Sequence, residues 1–338
     1  MNESLLKQVQ KWANNVPLVV LGSGASVQYK LPSMWSLGDH IINQINFDEK
    51  TDKDSFERFI EKFNETDDLE RALTDSNPNE EVVSKIVNTT WAFINEADLI
   101  AYEYIINLNN DIPLSNLIKR YLKTANSKLS IVTTNYDRIA EYASSLAQVF
   151  IYTGYTQNHI GHFSEGIKRN QLNKLHGFNG QVNILKVHGS LDWFKKINGE
   201  NIQLPLRRTI PEGFSPSIVT PRNSKYLHTH SEPYRTILTM ADEEIKIAEG
   251  YLCIGYGFND IHVQPNLIDQ IRSGKPIIVI TKELTEQTKQ AIVGNNCKNY
   301  VLIEQAGQTG TRFISSHYGD CVVDDSSYWE LSEFLGLI

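Results

Sequence analysis

Four short stretches of this 338-residue chain place small or polar residues directly after apolar runs, and the chemistry open to them is that of a nucleotide site. Leu18-Val19-Val20-Leu21 leads into Gly22-Ser23-Gly24-Ala25-Ser26. A buried strand that delivers a nearly side-chain-free turn to a helix start exposes backbone N–H groups that can hold a phosphate. Gly-x-Gly also serves ordinary strand-to-helix turns, so this stretch alone decides nothing. The run from Leu129 ends in Thr134-Asn135-Tyr136-Asp137. Asn135 thereby falls where a parallel strand ends, on the edge at which open α/β sheets bind ligands. The run from Val182 ends in His188-Gly189-Ser190. Imidazole titrates near neutral pH and suits a general base, although a lone histidine is more often a hydrogen-bonded core group. A further run ends in Gly255-Tyr256-Gly257-Phe258-Asn259-Asp260, and another, from Pro276, in Thr281. One polar strand end is ordinary, whereas four in one sheet imply a shared ligand.

The elements that must position these residues follow from periodicity. Strand-like runs alternate with helical patterns over most of the chain, which predicts an α/β fold with a doubly wound, Rossmann-like parallel sheet. Leu5, Leu6, Val9, Trp12 and Ala13 stand at helical spacing and predict a helix packed on the sheet edge. Residues 27–35 are too irregular for a long helix and read as a loop over the nucleotide pocket. Trp35 could cover a ring there, though core packing is the commoner use of a large aromatic. From 47 to 128 the pattern is helical and charged, broken at Asn77-Pro78, with no catalytic constellation. It is expected to be an insertion that makes a lid or a subunit contact, dividing the catalytic domain into 1–46 and 129–338. Residues 195–235, carrying Pro205, Pro211, Pro216, Pro221 and Pro233, read as loop, with His228 and His230 on its surface.

Composition narrows the function classes. No apolar run approaches the ~20 residues of a membrane span, and the first residues lack a signal-peptide layout, so a cytoplasmic location is expected. Cys253, Cys297 and Cys321 are odd in number and scattered, which excludes a disulfide framework and a Cys-x-x-Cys zinc site. His159, His162 and His176 have no carboxylate or thiolate at ligand spacing, so no metal is expected. A net charge of −8 argues against a surface built for nucleic acid.

Taken in order, the four stretches resemble the sirtuin-like superfamily, in particular its bacterial NAD-hydrolysing branch of antiphage defence (Thoeris, defence-associated sirtuins and sirtuin–HerA complexes). Gly22-Ser23-Gly24-Ala25-Ser26 is similar to the family's Gly-Ala-Gly-x-Ser loop, and Thr134-Asn135-Tyr136-Asp137 to its Thr-Gln-Asn-x-Asp. His188-Gly189 matches its His-Gly motif, and Gly255-Tyr256-Gly257-Phe258-Asn259-Asp260 the branch's Gly-Tyr-Ser-x-x-Asp. One departure is informative: deacylating sirtuins carry a four-cysteine zinc ribbon after His-Gly, and here no cysteine lies between His188 and Cys253. The resemblance is therefore to a branch without a zinc module.

That resemblance implies NAD as substrate and cleavage of its nicotinamide–ribose bond through an oxocarbenium-like transition state. Asn135 would orient the attacking water and the ribose hydroxyls, since an amide both donates and accepts. His188 would act as general base. Gly22, Ser23, Gly24, Ala25 and Ser26, with Thr134, would surround the pyrophosphate and ribose; Gly255, Tyr256, Gly257 and Asn259 would line the adenosine end, with Thr281 near its ribose. Asp137, like Asp39, suits a helix cap or a supporting carboxylate better than direct contact. Because constitutive NAD loss harms the host, control by homo-oligomerisation, or by a HerA-type ring ATPase, is the expectation. Two other outcomes stay open: a zinc-free deacylase or ADP-ribosyltransferase, and a non-catalytic NAD or ADP-ribose sensor.

Overall fold

The computed structural model describes residues 3–66, 69–107, 112–123, 126–164, 177–218, 231–260 and 262–338; His176, His228 and His230 lie outside them. The strands are β1 (Leu18–Leu21), β2 (Lys128–Thr133), β3 (Phe150–Tyr152), β4 (Gly161–His162), β5 (Gln181–Lys186), β6 (Gly189–Lys196), β7 (Asn201–Gln203), β8 (Phe214–Ile218), β9 (Tyr251–Ile254), β10 (Ile277–Ile280), β11 (Tyr300–Ala306), β12 (Gly310–Ser315) and β13 (Gly319–Val323). The helices are α1 (Glu3–Asn14), α2 (Met34–Gln44), α3 (Lys50–Thr66), α4 (Leu69–Ser76), α5 (Glu80–Asn107), α6 (Pro113–Leu122), α7 (Ile139–Leu146), α8 (Tyr234–Ile247), α9 (Val263–Arg272), α10 (Glu286–Lys289) and α11 (Leu331–Leu337).

Nine strands form the main sheet in the order β13-β12-β11-β10-β9-β1-β2-β5-β3. It is parallel from β3 to β11, and the β12–β13 hairpin extends it antiparallel. The chain builds from β1 to one side through β2 and β5, then returns to the other side through β9 and β10. That reversal puts a switch-point crevice at the carboxyl ends of β1 and β9. The register makes the convergence sharper. Leu21 pairs with both Thr133 and Ile254, Thr133 with Lys186, and Ile254 with Ile280, so five strands end on one rung. Two residues beyond that rung stand Ser23, Asn135, His188 and Tyr256.

Both sheet faces are covered, which is why β1, β9 and β10 read as continuous apolar runs. Along β1, Val19 and Leu21 enter one core with Leu5, Ile41, Trp91, Ile118 and Phe334, while Leu18 and Val20 enter the other with Ile237, Ile245, Leu267 and Ile271. Strand alternation thus feeds two helical layers from one strand. Leu5, Val9 and Ala13 of α1 are buried in the first core and α1 contacts β10, an interior strand, so this helix lies on a face of the sheet and not on its edge. Among the described residues, the segment from 50 to 122 holds four helices whose Phe59, Leu73, Ile86 and Leu117 share that same core, and its break falls at Asn77, where φ is +46°.

A second sheet, β4-β7-β6-β8, is antiparallel and places short strands within the stretch expected to be loop. Prolines masked it in the sequence, since Pro216 sits inside β8 opposite Phe194, on an outer strand where a missing N–H is tolerated. Residues 27–29 form one short helical turn, and Ser33 caps α2 by accepting from Ser36 N–H. Trp35, in the first turn of α2, is 60 % exposed and takes no part in the core. No described helix is long and apolar enough to cross a membrane.

Candidate functional site

The crevice begins with three glycines seated against one another. Gly22 N–H donates to Ile254 O and Gly24 N–H to Gly255 O, both at 3.1 Å. A Cβ on Gly22 would lie 2.4 Å from Gly255 O, and one on Gly255 would lie 2.3 Å from Ala25 N. Gly255 also holds φ at +57°, a conformation that favours glycine. The two loops therefore interlock only because neither carries a side chain at the contact. Inside the turn, Ala25 N–H donates to Gly22 O and Ser26 N–H to Ser23 O. The N–H groups of Gly22, Gly24, Ala25 and Ser26 thus donate within the protein. Ser26 is buried as well; Ser23 and Gly24 form the exposed rim.

Asn135 is held by that turn. Its Nδ2 donates to Gly22 O at 2.9 Å and to Ser26 Oγ at 3.2 Å, and its own N–H donates to Thr133 Oγ1 at 3.0 Å. A carbonyl accepts only, so the Gly22 contact fixes the amide orientation and leaves Oδ1 as the acceptor that the half-buried side chain presents. Ser26 Oγ in turn donates to Asp137 Oδ2 at 2.8 Å, and Asp137 Oδ1 accepts from Ile139 N–H at 3.1 Å, at the start of α7. Asp137 is therefore a helix cap and a brace for Ser26. Burial pushes its carboxyl up, with the Lys186 charge opposing.

His188 follows β5 as Asn135 follows β2. Its Nε2 lies 2.7 Å from Asp260 Oδ2, with side chains 10 % and 7 % exposed. Asp260 Oδ1 also accepts from the N–H groups of His262 at 3.0 Å and Val263 at 2.6 Å, which places the carboxylate at the start of α9. Burial alone would raise Asp260; the hydrogen bond and charge of His188 outweigh it and bring the carboxyl down to about 2. The pair is an imidazole oriented by a buried carboxylate. Asp260 stood in the quoted motif, but its partnership with His188 crosses 72 residues and has no sequence signature.

The remaining expected residues divide. Gly257 O accepts from Thr285 Oγ1 at 2.9 Å, Asn259 is exposed, and Thr281 directly follows β10 with its Oγ1 donating to Glu283 O at 3.2 Å. Thr134 is half-buried beside Asn135. Tyr256 is corrected: its ring is 4 % exposed and packs on Phe258 at 4.9 Å, so it belongs to the core and offers the crevice only backbone. Asp39 is exposed on α2. Sequence reasoning missed the supports. Lys186, fully buried, donates to Asp137 O and pairs with Glu141 at 3.1 Å. On α5, Asp98 accepts from Arg138 N–H at 2.7 Å, Arg138 Nε at 2.9 Å and Tyr142 OH at 2.6 Å. The helical segment thus braces the turn that carries Asn135. Its polar residues on a buried face were the only available signal. Among the described residues no three His, Cys, Asp or Glu side chains gather as a metal-binding group.

Residues 129–290 match the family model of the SIR2-like domain. The match runs from β2 to the end of α10, takes in Asn135, His188 and Asp260, and supports a sirtuin-like family. Among solved structures, a Sir2 homologue–NAD complex is 14 % identical over 89 % of this chain and 88 % of its own, with a TM-score of 0.45. A Sir2 homologue mutant in complex with 2′-O-acetyl ADP ribose is 16 % identical over 85 % and 88 %, with a TM-score of 0.45. No curated protein sequence matches the chain.

Proposed function

We propose that the protein is an NAD glycohydrolase, releasing nicotinamide and ADP-ribose by transfer of the ribosyl carbon to water. The observation that carries this reading is the common rung: Asn135 and His188 each stand two residues past the paired Thr133 and Lys186, and Asn135 is bonded to the interlocked glycine loop through Gly22 O. Asn135, its Nδ2 fixed inward, would use Oδ1 to accept from the attacking water or a ribose hydroxyl. With Nε2 committed to Asp260, proton transfer at His188 falls to Nδ1, and the carboxylate supports the imidazolium that results. Neutral nicotinamide leaves without needing an acid, so positioning and water control carry the catalysis. Hydrolysis is preferred to acyl-group transfer because the segment after His188 is a cysteine-free antiparallel sheet and not a zinc ribbon. We further propose that NAD depletion serves antiphage defence and that assembly, with itself or with a HerA-type ATPase, gates it.

The test is a time course of NAD, nicotinamide and ADP-ribose with purified protein and no peptide, alone and with the product of the neighbouring reading frame. Equal release of nicotinamide and ADP-ribose is expected. NAD that is bound but never consumed under either condition would leave only the sensor reading standing.

A further inference from the structure

Asp260 serves a second imidazole. Its Oδ2 lies 2.7 Å from His188 Nε2, while its Oδ1 accepts from the backbone N–H of His262 at 3.0 Å. The His262 ring stands edge-on to the His188 ring, with 6.3 Å between centroids and 89° between planes. His262 is half-buried at the N-cap of α9, and its charge, after that of His188, helps to bring the Asp260 carboxyl down. One carboxylate thus lies within electrostatic reach of two rings that can each take a proton.

That placement bears on the proposed chemistry. An ionised carboxylate favours the charged form of an imidazole beside it, and a charged imidazole cannot accept a proton. Asp260 therefore orients His188 and at the same time biases it away from the form a base needs. A second imidazole at the same carboxylate opposes the bias, because two protonated rings so close repel each other and one carboxylate neutralises only one of them. We propose that His262 is a positioning residue that acts on His188 through their shared carboxylate, holding the His188 ring neutral and ready to accept a proton. This deepens the reading of His188 as general base and rests on it. Of the titratable groups on neighbouring elements, Tyr256 after β9 is turned into the core, Arg235 of α8 pairs with Glu232, and Asp242 of α8 is held by Asn266, one turn beyond His262. None of these sets a cation against His188.

Proton–nitrogen correlation spectra of the imidazole rings in the full chain, titrated without NAD between about pH 5 and 9, test this. In the wild type the two rings should titrate as a coupled pair, each curve broader than that of one independent site. His262→Gln, checked for folding by circular dichroism, should raise the midpoint of His188 by ~0.5–1 pH unit, and His262→Lys, which fixes a cation, should lower it. The acid limb of the pH profile of nicotinamide release should move with the midpoint in each variant, with KM little changed; lost packing alone would not give opposite shifts. The proposal is overturned if His188 titrates in the wild type as one independent site, if folded His262→Gln leaves its midpoint unmoved, or if the two variants move it the same way. Because the spectra need no turnover, the coupling would stand even in a protein that consumed no NAD, where only the role of His188 as base would fall.

Discussion

The two halves of the candidate site are held in place by different physics. On the amide side, Asn135 is fixed by neutral hydrogen bonds to Gly22 O and Ser26 Oγ, in a turn clamped by glycine contacts. On the imidazole side, a charged contact to Asp260 holds His188. The first arrangement is geometric and indifferent to pH over the working range. The second exists in full only while Asp260 is ionised and strengthens whenever His188 is protonated. A reaction that needs a fixed acceptor and a titrating base is served by that division, and each half can be broken separately.

The largest effects should come from the reacting groups. Asn135→Ala and His188→Ala are each expected to lower nicotinamide release by ~10²–10⁴-fold in a folded protein. Asn135→Asp sharpens the contrast: it keeps the shape but sets a carboxylate oxygen against Gly22 O, so it should be as inactive as the alanine variant. Full turnover by either alanine variant would remove the assignment. Gly255→Ala attacks the clamp itself. A Cβ placed 2.3 Å from Ala25 N, on a residue at φ +57°, must push the two loops apart. A loss of about 3 kcal/mol of stability is expected, from overpacking plus the left-handed backbone, read by urea denaturation.

On the imidazole side, Asp260→Asn should cost roughly 10–10²-fold in kcat with KM little changed, since the ring stays but loses its charged partner. A merely structural role would lower activity equally at every pH. An orienting carboxylate predicts instead that the acid limb of the pH–rate profile moves to lower pH in the variant, because the protonated ring has lost its support.

How much of this was legible beforehand follows the same division. The sheet and its four polar ends were readable because buried parallel strands write themselves as apolar runs, and Asn135 and His188 are marked by where those runs stop. The glycine contact was only half readable: Gly22-Ser23-Gly24 suggested a turn, but its tightness comes from Gly255, on a strand that pairs beside β1 though more than 200 residues later. The small antiparallel sheet was lost among prolines. Asp98, Lys186 and Glu141 were invisible because a charged residue on a helix or strand reads as a solvated face until packing buries it. Tyr256 erred the other way, a polar-tipped aromatic in a motif whose ring serves the core.

The smallest expected effect contrasts two buried carboxylates in stability alone. Asp260 has its folded value lowered from 3.8 to about 2, so it binds fewer protons folded than unfolded. Its contribution, on the order of 2 kcal/mol, is present above the unfolded value and is lost as pH falls through about 2. Glu141 has its value raised from 4.5 to about 7, so it binds more protons folded than unfolded between those limits. Its contribution therefore declines as pH rises from about 4.5 through 7. Denaturation midpoints across pH 2–8 should show Asp260→Asn flattening the acid side of the curve and Glu141→Gln flattening the neutral side. If the two variants gave curves of the same shape, the difference drawn between a carboxylate held down by its imidazole and one held up by burial would be wrong.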